Sequence, residues 1–199
     1  MSFVPPPMPT IADLLPVVAR GEAEFAAHVG GWVLVGQIPL AGAAGIFRTA
    51  PLKGPGAVCA PTGEIEAMLE EHWTALVIHK KAQASFADSI FIGRATSNDV
   101  CIPHTSVSKL HARVRRAGND IFLTDAGSSN GTLINGDSVG DVDVAVGHGD
   151  LLRFGSVLMQ CFEPHRLHGL LRRFLQARSE QRPAAPASSP TSSSRERRR

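Results

Sequence analysis

The chain has 199 residues, 43% apolar and 19% charged, with 19 Gly and 14 Pro, a size that suits one globular domain with additional segments and excludes a large multidomain enzyme. Aromatics stand at 6%, Tyr is absent and the charged share is low, so neither a coiled coil nor a wholly disordered chain fits. The net charge of +2 conceals an asymmetry: residues 1–165 carry 11 Lys and Arg against 16 Asp and Glu, a net of −5, while residues 166–199 carry 9 Arg against 2 Glu, a net of +7.

Cys59, Cys101 and Cys161 are odd in number and widely spaced, poor material for a disulfide framework, which points to a reducing, cytoplasmic setting. The N-terminus has no basic region and its prolines interrupt each apolar run, so no secretory signal is expected. Val29 to Phe47 runs 19 residues without a formal charge, long enough to span a membrane. Its five Gly, with Gln37 and Pro39, weaken a spanning helix. The expectation is a pair of buried strands around Trp32 to Val35 and no membrane span.

Residues 1–72 read as an N-terminal extension of unknown role that packs on the domain C-terminal to it. Ile11, Leu14, Leu15 and Val18 recur at helical spacing after an N-cap at Thr10. A second helix is expected over 64–73, with Ile65, Met68, Leu69 and Trp73 on one face. Over 73–163 the pattern changes to short runs of two-residue periodicity with turns every eight to twelve positions, the mark of an antiparallel β-sandwich. Strands are expected over 74–80, 89–92, 100–102, 112–115, 121–124, 132–134, 151–154 and 157–162. In 112–115, Ala112 and Val114 would face the core and Arg113 and Arg115 the water. Asn135-Gly136 is a type I′ hairpin signal, since that turn needs positive φ at both central residues. Residues 164–181 predict an amphipathic helix with Leu167, Leu170, Leu171, Phe174 and Leu175 on one face. Residues 182–199 hold no Leu, Ile, Val or Phe and read as a disordered Ser/Pro/Arg-rich tail. The fold class is all-β, with a mixed extension before the sandwich and the helix and tail after it.

Six separated elements carry the functional argument: Gly93-Arg94, Asn98-Asp99-Val100, Ser108-Lys109-Leu110-His111, Asp125, Ser128-Ser129-Asn130-Gly131-Thr132 and Asn135-Gly136. Their order and spacing resemble the forkhead-associated (FHA) domain, over about 90 of the 199 residues. The resemblance implies a β-sandwich whose loops at one end bind phosphothreonine in a partner protein, placed in a Ser/Thr protein kinase pathway. The residue chemistry agrees. A phosphate carries close to two negative charges and several acceptor oxygens, so its site needs a fixed cation and converging donors. Arg94 supplies a planar guanidinium, Ser108 a hydroxyl and a backbone N–H, and Lys109 further charge, although many family members have Arg or Asn at that position. Ser129 occupies the family's Ser/Thr contact position, and Asn130 would hydrogen-bond the main chain of the bound peptide. A pocket for the γ-methyl group would favour threonine over serine by about 1–3 kcal/mol. The resemblance makes His111 a brace between recognition loops. Gly93, Gly131 and Gly136 are expected to supply backbone freedom at turns, Asn135 to sit in the hairpin with Thr132 leading into it, and Asp125 to order the loop before Ser128.

Rival chemistries have weaker support. Gly127-Ser128-Ser129-Asn130-Gly131 fits the G-x-S-x-G pattern of serine hydrolases, but a nucleophile elbow leads from strand into helix, whereas Thr132 to Gly136 reads as strand and hairpin. Ser108 with His111 lacks an orienting acid, and Cys101 with His104 and His111 lacks the clustered spacing of a zinc site. The Arg-rich tail could attract any polyanion and is weak ground for nucleic-acid binding. Thr191, in the tail's Ser/Thr cluster, could itself be phosphorylated and serve as a ligand. The expected protein is a non-catalytic adaptor with no cofactor and no metal. The alternative is a phosphate-independent interaction module.

Overall fold

The computed structural model describes residues 8–38, 69, 73–81 and 89–180. The helix expected over 64–73 lies outside them except at Leu69 and Trp73, as does the tail over 182–199. Among the described residues the chain forms α1 (Ile11–Val18), α2 (Glu22–Val29), β1 (Val33–Gly36), β2 (Thr74–Val77), β3 (Ser89–Gly93), β4 (Val100–Cys101) and β5 (Ala112–Ala117). C-terminal to these come β6 (Asp120–Asp125), β7 (Thr132–Ile134), β8 (Asp137–Val139), β9 (Val144–Val146), β10 (Leu151–Phe154), β11 (Val157–Phe162) and α3 (Pro164–Glu180).

One sheet has the order β2-β1-β11-β10-β7-β8 and the other β4-β3-β5-β6-β9. Leu34, Ile90, Ile92, Val114, Leu123 and Phe154 are among the side chains that fill the space between them. The pairing is antiparallel except between β3 and β4, which run parallel with Ile92 opposite Val100. With helices α1, α2 and α3 beside the strands among the described residues, "all-β" is too narrow a description. Strands β8 and β9 go beyond the expected set; each buries a single residue, which leaves no apolar alternation to read. The predicted alternation in β5 holds, with Ala112 and Val114 buried and Arg113 and Arg115 on the other face, both paired with Asp143.

Of the uncharged run only residues 29–38 are described, and they hold one strand of the expected pair. Strand β1 lies between β2 and β11 and all four of its residues are buried. Leu34 joins the sandwich core, while Val33 and Val35 join a second core with Ile11 and Leu14 of α1, Phe25 of α2 and Leu171 and Phe174 of α3. A strand covered on both faces reads as a continuous apolar stretch. No helix among the described residues is long and apolar enough to cross a membrane.

The helical layer is tied to the sheet by local chemistry. At the start of α1 the Asp13 carboxylate accepts from the Thr10 N–H at 2.8 Å and the Thr10 hydroxyl at 2.9 Å. The Thr10 backbone bond, then the hydroxyl bond, hold the Asp13 pKa below its ordinary value. Residues 9–11 then run along β2, with Ala75 N–H donating to Pro9 O and Ile11 N–H to Trp73 O. The amphipathic C-terminal helix is present as α3, its Leu167, Leu171 and Phe174 buried.

This build makes β1 as much a core element as any strand of the motif region. Truncating Leu34 to Ala should destabilise the protein by about 2–5 kcal/mol, read as a lowered urea midpoint at unchanged m-value. A loss below about 0.5 kcal/mol, the size of an ordinary surface change, would contradict the two-sided burial of β1.

Candidate functional site

The sandwich turns its motif residues into loops at one end: 94–99 after β3, 102–111 before β5, 126–131 between β6 and β7, and Gly155-Ser156 between β10 and β11. Arg94 comes directly after β3. Its backbone N–H donates to Ser108 O at 2.8 Å and its Nε–H to Val107 O at 3.1 Å. The guanidinium plane is therefore fixed against the 102–111 loop. Its two terminal nitrogens have no partner among the described residues, and the side chain is exposed.

Ser108 connects this cation to the next loop. Its hydroxyl oxygen accepts the Ser129 N–H at 3.0 Å and lies 3.5 Å from the Ser129 hydroxyl. Its own N–H donates to His111 Nδ1 at 3.0 Å. Arg94, Ser108 and Ser129 thus come together. Lys109 is exposed beside them; its carbonyl accepts from Ala95 N–H and Asn98 Nδ2, and its ammonium has no partner among the described residues. Asn130 donates from Nδ2 to Ser106 O at 2.8 Å, so it joins two loops directly and leaves its Oδ1 without a partner among the described residues.

His111 is completely buried. Nδ1 accepts from Ser108, so Nε2 carries the proton and donates to Gly131 O at 3.2 Å. The ring meets Phe154 edge-on. Asp125 orders the 126–131 loop: it accepts the Ser128 N–H and hydroxyl, each at 2.7 Å, and the Thr132 hydroxyl at 2.6 Å. Burial raises its pKa, but these bonds and one from the Gly127 backbone outweigh that and hold it below the usual carboxylate value. Asn135, at φ 54°, occupies the predicted hairpin and also accepts the Leu151 N–H at 2.9 Å.

The glycines divide into two kinds. Gly131 (φ +75°) and Gly136 (φ +99°) adopt the left-handed backbone expected of them. Gly93 does not. Its reason is close approach: a Cβ there would collide with the Lys109 carbonyl and stand 2.8 Å from Asn98 Nδ2.

Several supporting residues have no role assigned from sequence. Asp99, 7% exposed, accepts from Phe91 N–H at 2.8 Å, Lys81 N–H at 2.9 Å and the Lys80 ammonium at 3.2 Å. The Lys81 ammonium donates to the Asn98 and Thr96 carbonyls. Burial opposes ionisation of Asp99, but these bonds prevail and its pKa is lowered. Ser106 joins the fourth loop, accepting the Ser156 N–H at 2.9 Å. Asn98-Asp99 is visible as part of the motif; its lysine partners, 17 to 19 positions away, give no signal.

The hydrolase reading loses its geometry. Gly127 to Gly131 connects two strands, β6 and β7, and the Ser129 hydroxyl meets Ser108. Ser108 in turn meets His111 through its backbone N–H, while its hydroxyl faces Ser129. Among the described residues no three His, Cys, Asp or Glu side chains cluster as metal ligands.

The two-sheet sandwich thus gathers its motif residues on neighbouring loops at one end. Residues 90–155 match the FHA domain family, which places an FHA domain in the chain over that span; FHA domains bind phosphothreonine peptides. Several solved structures are similar to this chain, three of them as follows. One is an FHA domain studied for phosphothreonine-dependent interactions, 30% identical, covering 38% of this chain and 77% of that chain at a TM-score of 0.36. Another is the FhaA FHA domain complexed with the intracellular domain of Rv3910, 29% identical, covering 41% and 87% at 0.35. The third is Mycobacterium tuberculosis EmbR in complex with a low-affinity phosphopeptide, 25% identical, covering 38% and 20% at 0.35. A search of curated proteins found no match.

Burial holds the His111 imidazole below its ordinary 6.5, opposed by the Gly131 bond and the Asp125 charge. The folded state therefore binds fewer protons there than the unfolded chain, so stability is full above about pH 6.5 and declines as the pH falls below it. His148 shifts in the same direction. His111→Ala should cost about 1–3 kcal/mol at neutral pH, by stranding the Ser108 N–H and the Gly131 carbonyl, and should flatten the decline toward acid. Urea titrations at a series of pH values test this, and an unchanged acid slope would contradict it.

Proposed function

We propose that the protein is a non-catalytic cytoplasmic adaptor that binds phosphothreonine in a partner, downstream of a Ser/Thr protein kinase. The observation that carries this reading is the free edge of the Arg94 guanidinium, locked through Nε and backbone to the loop that presents the Ser108 hydroxyl. A phosphate seated there meets a planar pair of N–H donors, the Ser108 and Ser129 hydroxyls and the nearby Lys109 ammonium. The Ser108 hydroxyl can turn its proton to the phosphate while its oxygen still accepts the Ser129 N–H. Asn130, held through Nδ2, offers its remaining amide groups to the peptide main chain.

Losing the phosphate removes every charge-assisted bond at once, each contributing about 1.5–3 kcal/mol. Phosphorylation of the partner then acts as the switch, with no change of fold in this protein.

Fluorescence anisotropy with a degenerate phosphothreonine library, run beside phosphoserine and unmodified threonine versions, tests the reading. Phosphothreonine should bind tightest and unmodified threonine not measurably. Arg94→Ala, which removes two charge-assisted bonds, should weaken binding about 100-fold, and Ser108→Ala about tenfold. Equal binding of the three libraries would favour the phosphate-independent module instead.

A further inference from the structure

A second site of different chemistry lies in the helical layer. A groove of about 380 Å³ runs between the turn joining α1 to α2 and one face of α3, lined by Arg20 from the turn and by His168, Arg172, Leu175, Gln176 and Ser179 from the helix. The α3 residues span three turns, roughly 16 Å of groove. Neither guanidinium pairs with a carboxylate among the described residues, although Glu22 and Glu24 stand in the first turn of α2; both arginines are exposed.

His168 sets what can lie here. It is 2% exposed, and its Nε2 sits 3.3 Å from Val18 O. A carbonyl can only accept, so Nε2 carries the proton and Nδ1 presents a lone pair with no partner among the described residues. A buried acceptor of this kind calls for a donor. Ser179 adds a second acceptor, because its hydroxyl proton is already given to Gln176 O at 2.7 Å. Cations at the rim and acceptors along the helix demand a ligand that carries both negative charge and N–H groups.

From this we infer that the groove binds an extended acidic peptide segment of a partner protein. Main-chain N–H groups meet the His168 and Ser179 acceptors, and Asp or Glu carboxylates meet Arg20 and Arg172. A bare inorganic anion would satisfy the arginines and leave the imidazole unpaired. At about 3.3 Å per residue the groove holds roughly five extended residues.

The test is anisotropy of a fluorescein-labelled hexaglutamate peptide on the full chain. The Arg20→Glu/Arg172→Glu variant, which changes only exposed side chains, should weaken binding about tenfold or more with an unchanged circular dichroism spectrum. Arg197→Ala/Arg198→Ala/Arg199→Ala and Arg94→Ala should leave it as in the parent. Free glutamate should compete far less well than unlabelled hexaglutamate. Undiminished binding by the Arg20/Arg172 variant, loss in either control variant, or equal competition by free glutamate would overturn the assignment. The Arg94→Ala arm separates this site from the phosphothreonine reading, which can fail without affecting it.

Discussion

The binding end of the sandwich depends on one neutral imidazole. His111 accepts from the Ser108 N–H through one nitrogen and donates to the Gly131 carbonyl through the other, so a single buried ring bridges the 102–111 and 126–131 loops beneath the bonds that Ser129 and Asn130 make between them. Only the tautomer with its proton on Nε2 can do this. A protonated ring would offer a second donor where Ser108 already donates, and a side chain without two opposed nitrogens would lose one of the two bonds. Burial keeps the ring uncharged. A positive charge so close to the proposed phosphate site would look useful, yet a protonated ring would lose its bond from Ser108.

Outward from that brace runs a chain of satisfied donors. Ser108 is held by His111, Ser129 by Ser108, and Asn130 reaches back to Ser106, which also accepts from Ser156. The Arg94 loop is secured from a different direction. Asp99 and the backbone around it are gripped by Lys80 and Lys81, just beyond β2, an edge strand bonded to the segment that leads into α1. The recognition loops therefore draw support from residues outside the span 90–155 that matches the family. Strand β2, which leads to Lys80 and Lys81, pairs in turn with β1, whose residues are covered by the sandwich core on one face and the helical core on the other.

Much of this is legible in the sequence, and the part that is not has a common cause. Short-range signals read correctly: the Thr10 start of α1, the alternation at Ala112 to Arg115, the Asn135-Gly136 hairpin and the apolar face of α3. The motif residues Arg94, Ser108 and Ser129 can be grouped because their family resemblance fixes order and spacing. Contacts between distant segments leave no trace in local pattern. Nothing in the spacing of Lys80 and Lys81 shows that they clamp Asp99, and nothing around His168 marks it as a groove-lining acceptor. Gly93 shows the same limit at one residue. Its sequence context suggests a turn, but the demand comes from the Lys109 carbonyl pressed against it, a contact made only when β3 and the 102–111 loop meet.

The charge balance of the chain sharpens what the site has to achieve. The arginines of α3, Arg166, Arg172, Arg173 and Arg178, offset much of the acidic excess of residues 1–165, so overall charge would do little to draw a phosphate to the proposed site, and long-range attraction is screened beyond a Debye length. Affinity must then come from short, aimed bonds, which require that the donors be in place beforehand. The Nε bond from Arg94 to Val107 O provides this at the cation, since it removes rotation about the end of a long side chain and leaves both terminal nitrogens on the open side. Lysine at that position could not do the same, because its compact ammonium has no separate nitrogen with which to anchor the group while still presenting a planar pair. In the proposed function, one anchored guanidinium at the rim would hold phosphate only where the geometry fits, and would release the same peptide once the phosphate is gone.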